Sequence, residues 1–111
     1  MPGSSILNEL SDLLAQRKAN PPSERSYVVS LLQEGRSKIA GKIMEEAEEV
    51  VAAAEEEGDL GRDHLTKEVA DLVFHAMVML TARDLTWSAV EEELARRFGM
   101  SGITEKESRN R

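Results

Sequence analysis

The chain has 111 residues, a formal net charge of −7 and no cysteine. Its length is that of one domain, and 41% hydrophobic residues suffice for a core, more than a disordered chain carries. A disulfide framework and a thiolate metal site are excluded, no apolar run approaches the roughly 18 residues of a membrane span, and the acidity speaks against nucleic-acid backbones, whose binding takes a surplus of Lys and Arg.

The start, Met1-Pro2-Gly3-Ser4-Ser5, has no charged segment leading into an apolar stretch, so no secretory signal is expected and the expected location is cytoplasmic. Only 4% of residues are aromatic, and apolar residues recur at intervals of three and four, the helical period. A first helix is predicted from about Ser5 to Lys18, with Ile6, Leu7, Leu10, Leu13 and Leu14 on one face. Asn20-Pro21-Pro22 stops it, because proline restricts the residue before it and cannot continue a helix. Ser23 is the predicted N-cap of a short second helix carrying Tyr27, Val28, Leu31 and Leu32. Gly35 either ends that helix or kinks a longer one.

A long helix is predicted from about Ser37 to Glu57, with a buried stripe of Ile39, Ile43, Ala47, Val50, Val51 and Ala54. Gly58-Asp59-Leu60-Gly61 reads as a turn, with Asp63 as cap of the next helix. That helix, about His64 to Arg83, presents Leu65, Val69, Leu72, Val73, Ala76, Met77 and Leu80. A last helix starts near Thr86 or Ser88 and ends at Gly99. Helices of this length are marginal alone and must pack on one another. The expected fold is therefore all-α, an antiparallel bundle of four to five helices over residues 1–99, followed by a basic, flexible tail over 100–111. So small a bundle buries a modest core, which favours completion by a homodimer.

Acidic residues are distributed unevenly. Glu45 to Asp59 holds eight acids and no base. On a helix, Glu45 and Glu49 lie about 40° apart and Glu46 about 60° from Glu49, with Glu46 at the margin of the apolar stripe. The next helix answers with His64, Glu68, Asp71 and His75, spaced four, three and four along one polar line. Pairing the two helices would set Glu46 and Glu49 opposite Glu68 and Asp71. Two carboxylates about 5 Å apart repel by roughly 3 kcal/mol at an effective dielectric near 20. Four of them take up protons or demand a cation, and an oxygen-only donor set suits Mg²⁺ or Mn²⁺.

The plainer alternative is a solvated acidic face, which fits Glu55 to Glu57 best and competes for Glu45, Glu46 and Glu49. A di-iron bundle needs Glu-x-x-His on two helices, and nothing equivalent accompanies His75 on the long helix. His64 and His75 read as polar-edge residues rather than catalysts, and Trp87 as a packing residue. Lys38 and Lys42 continue the Glu45–Glu49 line, where they either receive phosphates or pair with neighbouring glutamates at three to four residues. From Arg96 to Arg111 five bases face two acids, a local charge of +3. That segment either folds over a phosphorylated group or stays a solvated terminus.

Glu45-Glu46-Ala47-Glu48-Glu49 followed by Glu68-Val69-Ala70-Asp71 resembles the EExxE…ExxD signature of the all-α nucleoside triphosphate pyrophosphatases, the MazG-like superfamily. Within it, the chain resembles the phosphoribosyl-ATP pyrophosphohydrolase family over roughly Leu7 to Arg109. The segments that carry this are Ser26-Tyr27, Ser30 to Gly35, Lys38-Ile39-Ala40-Gly41-Lys42, Asp71-Leu72-Val73-Phe74-His75, and Arg97 to Ile103 with Glu105-Lys106. The resemblance implies hydrolysis of the α–β phosphoanhydride of 1-(5-phosphoribosyl)-ATP to 1-(5-phosphoribosyl)-AMP and pyrophosphate, the second step of histidine biosynthesis. It implies Mg²⁺ as cofactor, with Mn²⁺ as a substitute, held by Glu46, Glu49, Glu68 and Asp71. Glu45 or Glu46 would orient the attacking water, with no covalent intermediate. Lys38, Lys42, Lys106 and Arg109 are the candidates for binding substrate phosphates. The competing readings are a housekeeping pyrophosphatase acting on canonical or damaged nucleotides and a non-catalytic acidic dimerisation module.

Overall fold

A computed structural model describes residues 5–99. The Ser5 hydroxyl accepts the Asn8 amide at 3.2 Å and so starts α1 (Ile6–Ala19), which stops at Asn20 ahead of Pro21-Pro22. α2 (Tyr27–Glu34) is capped by Ser26, whose hydroxyl accepts from the Val29 amide at 3.3 Å. Ser23, the expected cap, lies outside the helix, because Ser26 is the serine that stands three residues before an unpaired first-turn amide. Gly35 resolves the alternative left open by the sequence. With φ +99° it ends α2 and begins α3 (Arg36–Ala54), a left-handed-side conformation that a side chain would strain.

The link from α3 to α4 (Gly58–Ala82) is shorter than the sequence suggests. α3 ends at Ala54 rather than Glu57, and Gly58 to Gly61 form the first turn of α4 rather than a loop, with Glu57 at the N-cap position. At Gly61 a Cβ would collide with the backbone carbonyl of Glu56, where the link folds back on the first turn of α4. Asp63, expected as a cap, lies within α4 and pairs with Lys67 at 3.1 Å. Glu55 to Glu57 thus close an antiparallel α3–α4 hairpin. α5 (Trp87–Phe98) ends at Gly99 in the left-handed conformation, and the Trp87 amide donates to the Ser11 hydroxyl at 3.0 Å, tying α5 to α1. Among the described residues there is no strand, and the fold is all-α as expected.

Leu14, Leu31, Ile39, Met77 and Val78 form the fully buried core, with Val28, Val73, Phe74 and Trp87 packed on it. These residues sit at the Gly35 end of the hairpin, where α1, α2 and α5 cover it. The other end, towards Glu55–Glu57, is a bare helix pair.

On α3 the seam facing α4 is Ile39, Ile43, Glu46, Val50 and Ala53, with Ile39, Glu46 and Ala53 buried. Ala47, Val51 and Ala54, expected in the buried stripe, are exposed, Val51 at 66%. The expected stripe merged two parallel lines. Each repeats at four and three, and the second (Ala40, Met44, Ala47, Val51, Ala54) is offset by one residue and faces away from α4. Glu46 consequently lies in the middle of the packed seam, not at its margin. Ile6, Leu13 and Val69, also expected on buried faces, are exposed.

Candidate functional site

Three carboxylates meet across the hairpin where its core gives way to polar side chains. One oxygen each from Glu46 on α3 and Glu68 and Asp71 on α4 lie within 4.8 Å of one another. Glu46 is buried, the Glu68 side chain is 14% exposed and Asp71 is open to solvent, so the cluster has a closed floor and one open side. Glu46 Oε1 and Glu68 Oε1 are buried with no hydrogen-bond partner. Such oxygens keep the desolvation cost of burial uncompensated, and a hard cation is the partner they fit.

The heptad-like seam explains why these residues converge. Glu46 occupies a position where the pattern otherwise places Ile or Val, and Glu68 and Asp71, three apart, share a face of α4. Glu49, one turn after Glu45, is solvent-exposed but faces Glu68. The Glu68 carboxylate beside it, through hydrogen bonding first and charge second, raises the Glu49 carboxyl above the usual range. The predicted pairing of Glu46 and Glu49 with Glu68 and Asp71 is therefore found, with Glu46, Glu68 and Asp71 as its tight part.

Glu45 points elsewhere. Its Oε1 accepts from Lys42 Nζ at 3.2 Å, and that hydrogen bond, followed by the influence of Tyr27 and of the Glu45 charge, raises the Lys42 ammonium. Lys38 lies 3.9 Å from Glu34 rather than beside Glu45 or Glu49. Lys38, Lys42 and Glu45 line a shallow depression of about 290 Å³ on α3 with Ser37 and Gly41. Lys106 and Arg109 lie outside the described residues.

Two histidines do more than the sequence suggests. His64 sits between two carboxylates, Nδ1 at 3.0 Å from Glu56 Oε2 and Nε2 at 3.1 Å from Glu68 Oε2. When both ring nitrogens carry protons the ring donates to both carboxylates, and the hydrogen bond to Glu56 leads in raising the imidazole above its ordinary value. The four-residue spacing of His64 and Glu68 was visible; the contact from Glu56 across the link was not. His75 is buried and bonded through Nδ1 to the Asp71 carbonyl at 3.0 Å. A carbonyl only accepts, so Nδ1 carries a proton, and Nε2 shares a hydrogen bond with the Tyr27 hydroxyl at 2.9 Å. A Tyr27–His75 link thus runs to the backbone of a cluster residue.

The sequence model of the phosphoribosyl-ATP pyrophosphohydrolase family matches residues 7–98. Relatives described as phosphoribosyl-ATP pyrophosphatase include one from Neisseria meningitidis, 48% identical over 107 residues (96% of each chain). Another, from Geotalea daltonii, is 47% identical over 106 residues, again 96% of each chain. A third, from Trichlorobacter lovleyi, is 49% identical over 105 residues, covering 94% of this chain and 93% of the relative. With that coverage from end to end, the chain belongs to the phosphoribosyl-ATP pyrophosphohydrolase family.

Proposed function

We propose that the chain hydrolyses the α–β phosphoanhydride of 1-(5-phosphoribosyl)-ATP in the cytoplasm, releasing pyrophosphate and 1-(5-phosphoribosyl)-AMP as the second step of histidine biosynthesis, with Mg²⁺ or Mn²⁺ as cofactor. Family membership supports the reaction. The observation that carries the site is the convergence of Glu46, Glu68 and Asp71, with two buried oxygens lacking partners. These three, with Glu49 beside Glu68, would hold the ion. When bound, a divalent cation screens the polyphosphate from an acidic protein and neutralises charge on the leaving pyrophosphate.

The chain's own residues supply the rest. Of Glu45 and Glu46, the candidates for orienting the attacking water, Glu46 is buried in the cluster and Glu45 is exposed and held by Lys42. Lys42 and Lys38 offer ammonium groups to phosphates lying along α3. Attack is in line, with no covalent intermediate.

The working unit in this reading is a homodimer. The second seam of α3, with Met44 67% and Val51 66% exposed, is an apolar line without cover in one copy. The radius of gyration, 16.5 Å, exceeds the about 13 Å of a compact chain of this length, as a bare hairpin end requires. A second α3 laid on that seam would bury it.

The test is pyrophosphate release from phosphoribosyl-ATP, with and without Mg²⁺, beside a panel of dNTPs. Mg²⁺-dependent turnover preferring phosphoribosyl-ATP is expected. Preference for a dNTP would make the chain a housekeeping pyrophosphatase, and no turnover with no response to Mg²⁺ would leave a non-catalytic module.

A further inference from the structure

A groove of about 400 Å³ lies between the end of α1 and the start of α2, lined among others by Arg17, Arg25, Ser26, Tyr27 and Phe74. Among the described residues, neither the Arg17 nor the Arg25 guanidinium has a hydrogen-bond or ion-pair partner, although the chain carries 21 acids. Glu24 lines the same groove without pairing with either, which leaves its rim with a net charge of +1. The first turn of α2 opens into it. The Ser26 hydroxyl satisfies the Val29 amide, and the positive end of the helix dipole adds to the cationic character of the groove.

The groove is joined to the carboxylate cluster. Tyr27, half exposed, stacks on Phe74 with ring centroids 6.4 Å apart, and its hydroxyl reaches His75, which is bonded to Asp71. An aromatic wall therefore stands between a cationic groove and an acidic cluster. The substrate has the same order of parts. A triphosphate and a phosphoribosyl monophosphate are attached to opposite sides of one purine, and the monophosphate is what distinguishes it from ATP.

We propose that Arg17, Arg25 and the first turn of α2 bind the phosphoribosyl phosphate, with Tyr27 alongside the purine, and that this groove sets the preference for phosphoribosyl-ATP over ATP. The assignment rests on the reading of the cluster as the pyrophosphohydrolase site. A phosphate held between two guanidinium groups and helix amides gains charge-assisted hydrogen bonds that ATP cannot make there.

The test uses Arg25→Ala, the double variant Arg17→Ala/Arg25→Ala and the charge-retaining Arg17→Lys, all in the full chain with Mg²⁺. KM for phosphoribosyl-ATP is expected to rise at least tenfold in the double variant while kcat stays within about threefold, and Arg17→Lys should recover part of the loss. Ribose 5-phosphate, titrated by NMR or calorimetry, is expected to bind the wild type and to bind the double variant at least tenfold more weakly. The calorimetric arm stands even if the wild type turns over no phosphoribosyl-ATP, so a failed groove and a failed functional reading give different results. Unchanged ribose 5-phosphate binding in the double variant, or equal weakening towards AMP and phosphoribosyl-AMP, overturns the proposal.

Discussion

His64 donates Nε2–H to Glu68 Oε2 at 3.1 Å, while the other oxygen of the same carboxylate is buried without a partner. The imidazole fixes one half of Glu68 and leaves the other half aimed into the cluster. Partners of this kind orient metal ligands and typically alter affinity by about 10–100-fold. His64→Ala should weaken Mg²⁺ binding by about tenfold or more in calorimetric titration, with kcat at saturating Mg²⁺ much less affected. Equal affinity in the variant would limit His64 to holding the helix link together.

Neutralising the cluster should separate activity from stability. Asp71→Asn and Glu49→Gln are each expected to lower kcat by roughly a hundredfold while leaving the circular dichroism spectrum unchanged. Glu46→Gln, which relieves a buried carboxylate oxygen lacking a partner, should stabilise the metal-free protein by about 1–3 kcal/mol in urea unfolding and abolish its response to Mg²⁺. A variant that keeps full activity would remove its residue from the site.

The raised groups give the pH dependence a definite sign. Glu49 and His64 are both held above their ordinary values, so at these two sites the folded chain binds more protons than the unfolded one. Their contribution is complete at low pH. It fades above about 4.5 for Glu49 and above about 6.5 for His64, and is gone once pH passes each raised value. Metal-free Tm should therefore fall from mildly acidic to alkaline pH, and Mg²⁺ should flatten the fall. Glu49→Gln is expected to remove the lower limb and His64→Gln the upper. Thermal melts across this range, with and without Mg²⁺, are the check.

The exposed seam on α3 predicts association. Val51→Glu places a charge in the middle of the line formed by Met44, Ala47, Val51 and Ala54, and should weaken the proposed dimer at least tenfold in sedimentation or light scattering while the monomer stays helical. An unaltered dimer would put the interface elsewhere.

The period of apolar residues was enough to read four to five helices and the antiparallel hairpin, because packing of helix faces leaves that signature in the sequence. Acids at matched spacing on two helices also placed Glu46 and Glu49 opposite Glu68 and Asp71. What period alone does not resolve is which of two apolar lines a helix turns inward. α3 carries both, so Ala47 and Val51 read as buried and Glu46 as marginal until the partner helix fixes the rotation. Gly58 and Gly61 misled for a related reason. Glycine serves a loop and the tightly turned start of a helix alike, and the Glu56 carbonyl packed against Gly61 in the first turn of α4 is visible only in the structure. Contacts such as Glu56–His64 and Tyr27–His75 depend on where separate elements end up, and no spacing along one helix encodes them.

In the proposed site, Glu46 from one helix and Glu68 and Asp71 from the next hold one divalent cation between them. The most direct measurement is calorimetric titration of Mn²⁺ into the wild-type chain, Glu46→Gln and Asp71→Asn. A saturable site in the wild type that weakens at least tenfold in both variants is the predicted result. Identical binding curves for the three proteins, or no binding to any of them, would contradict it.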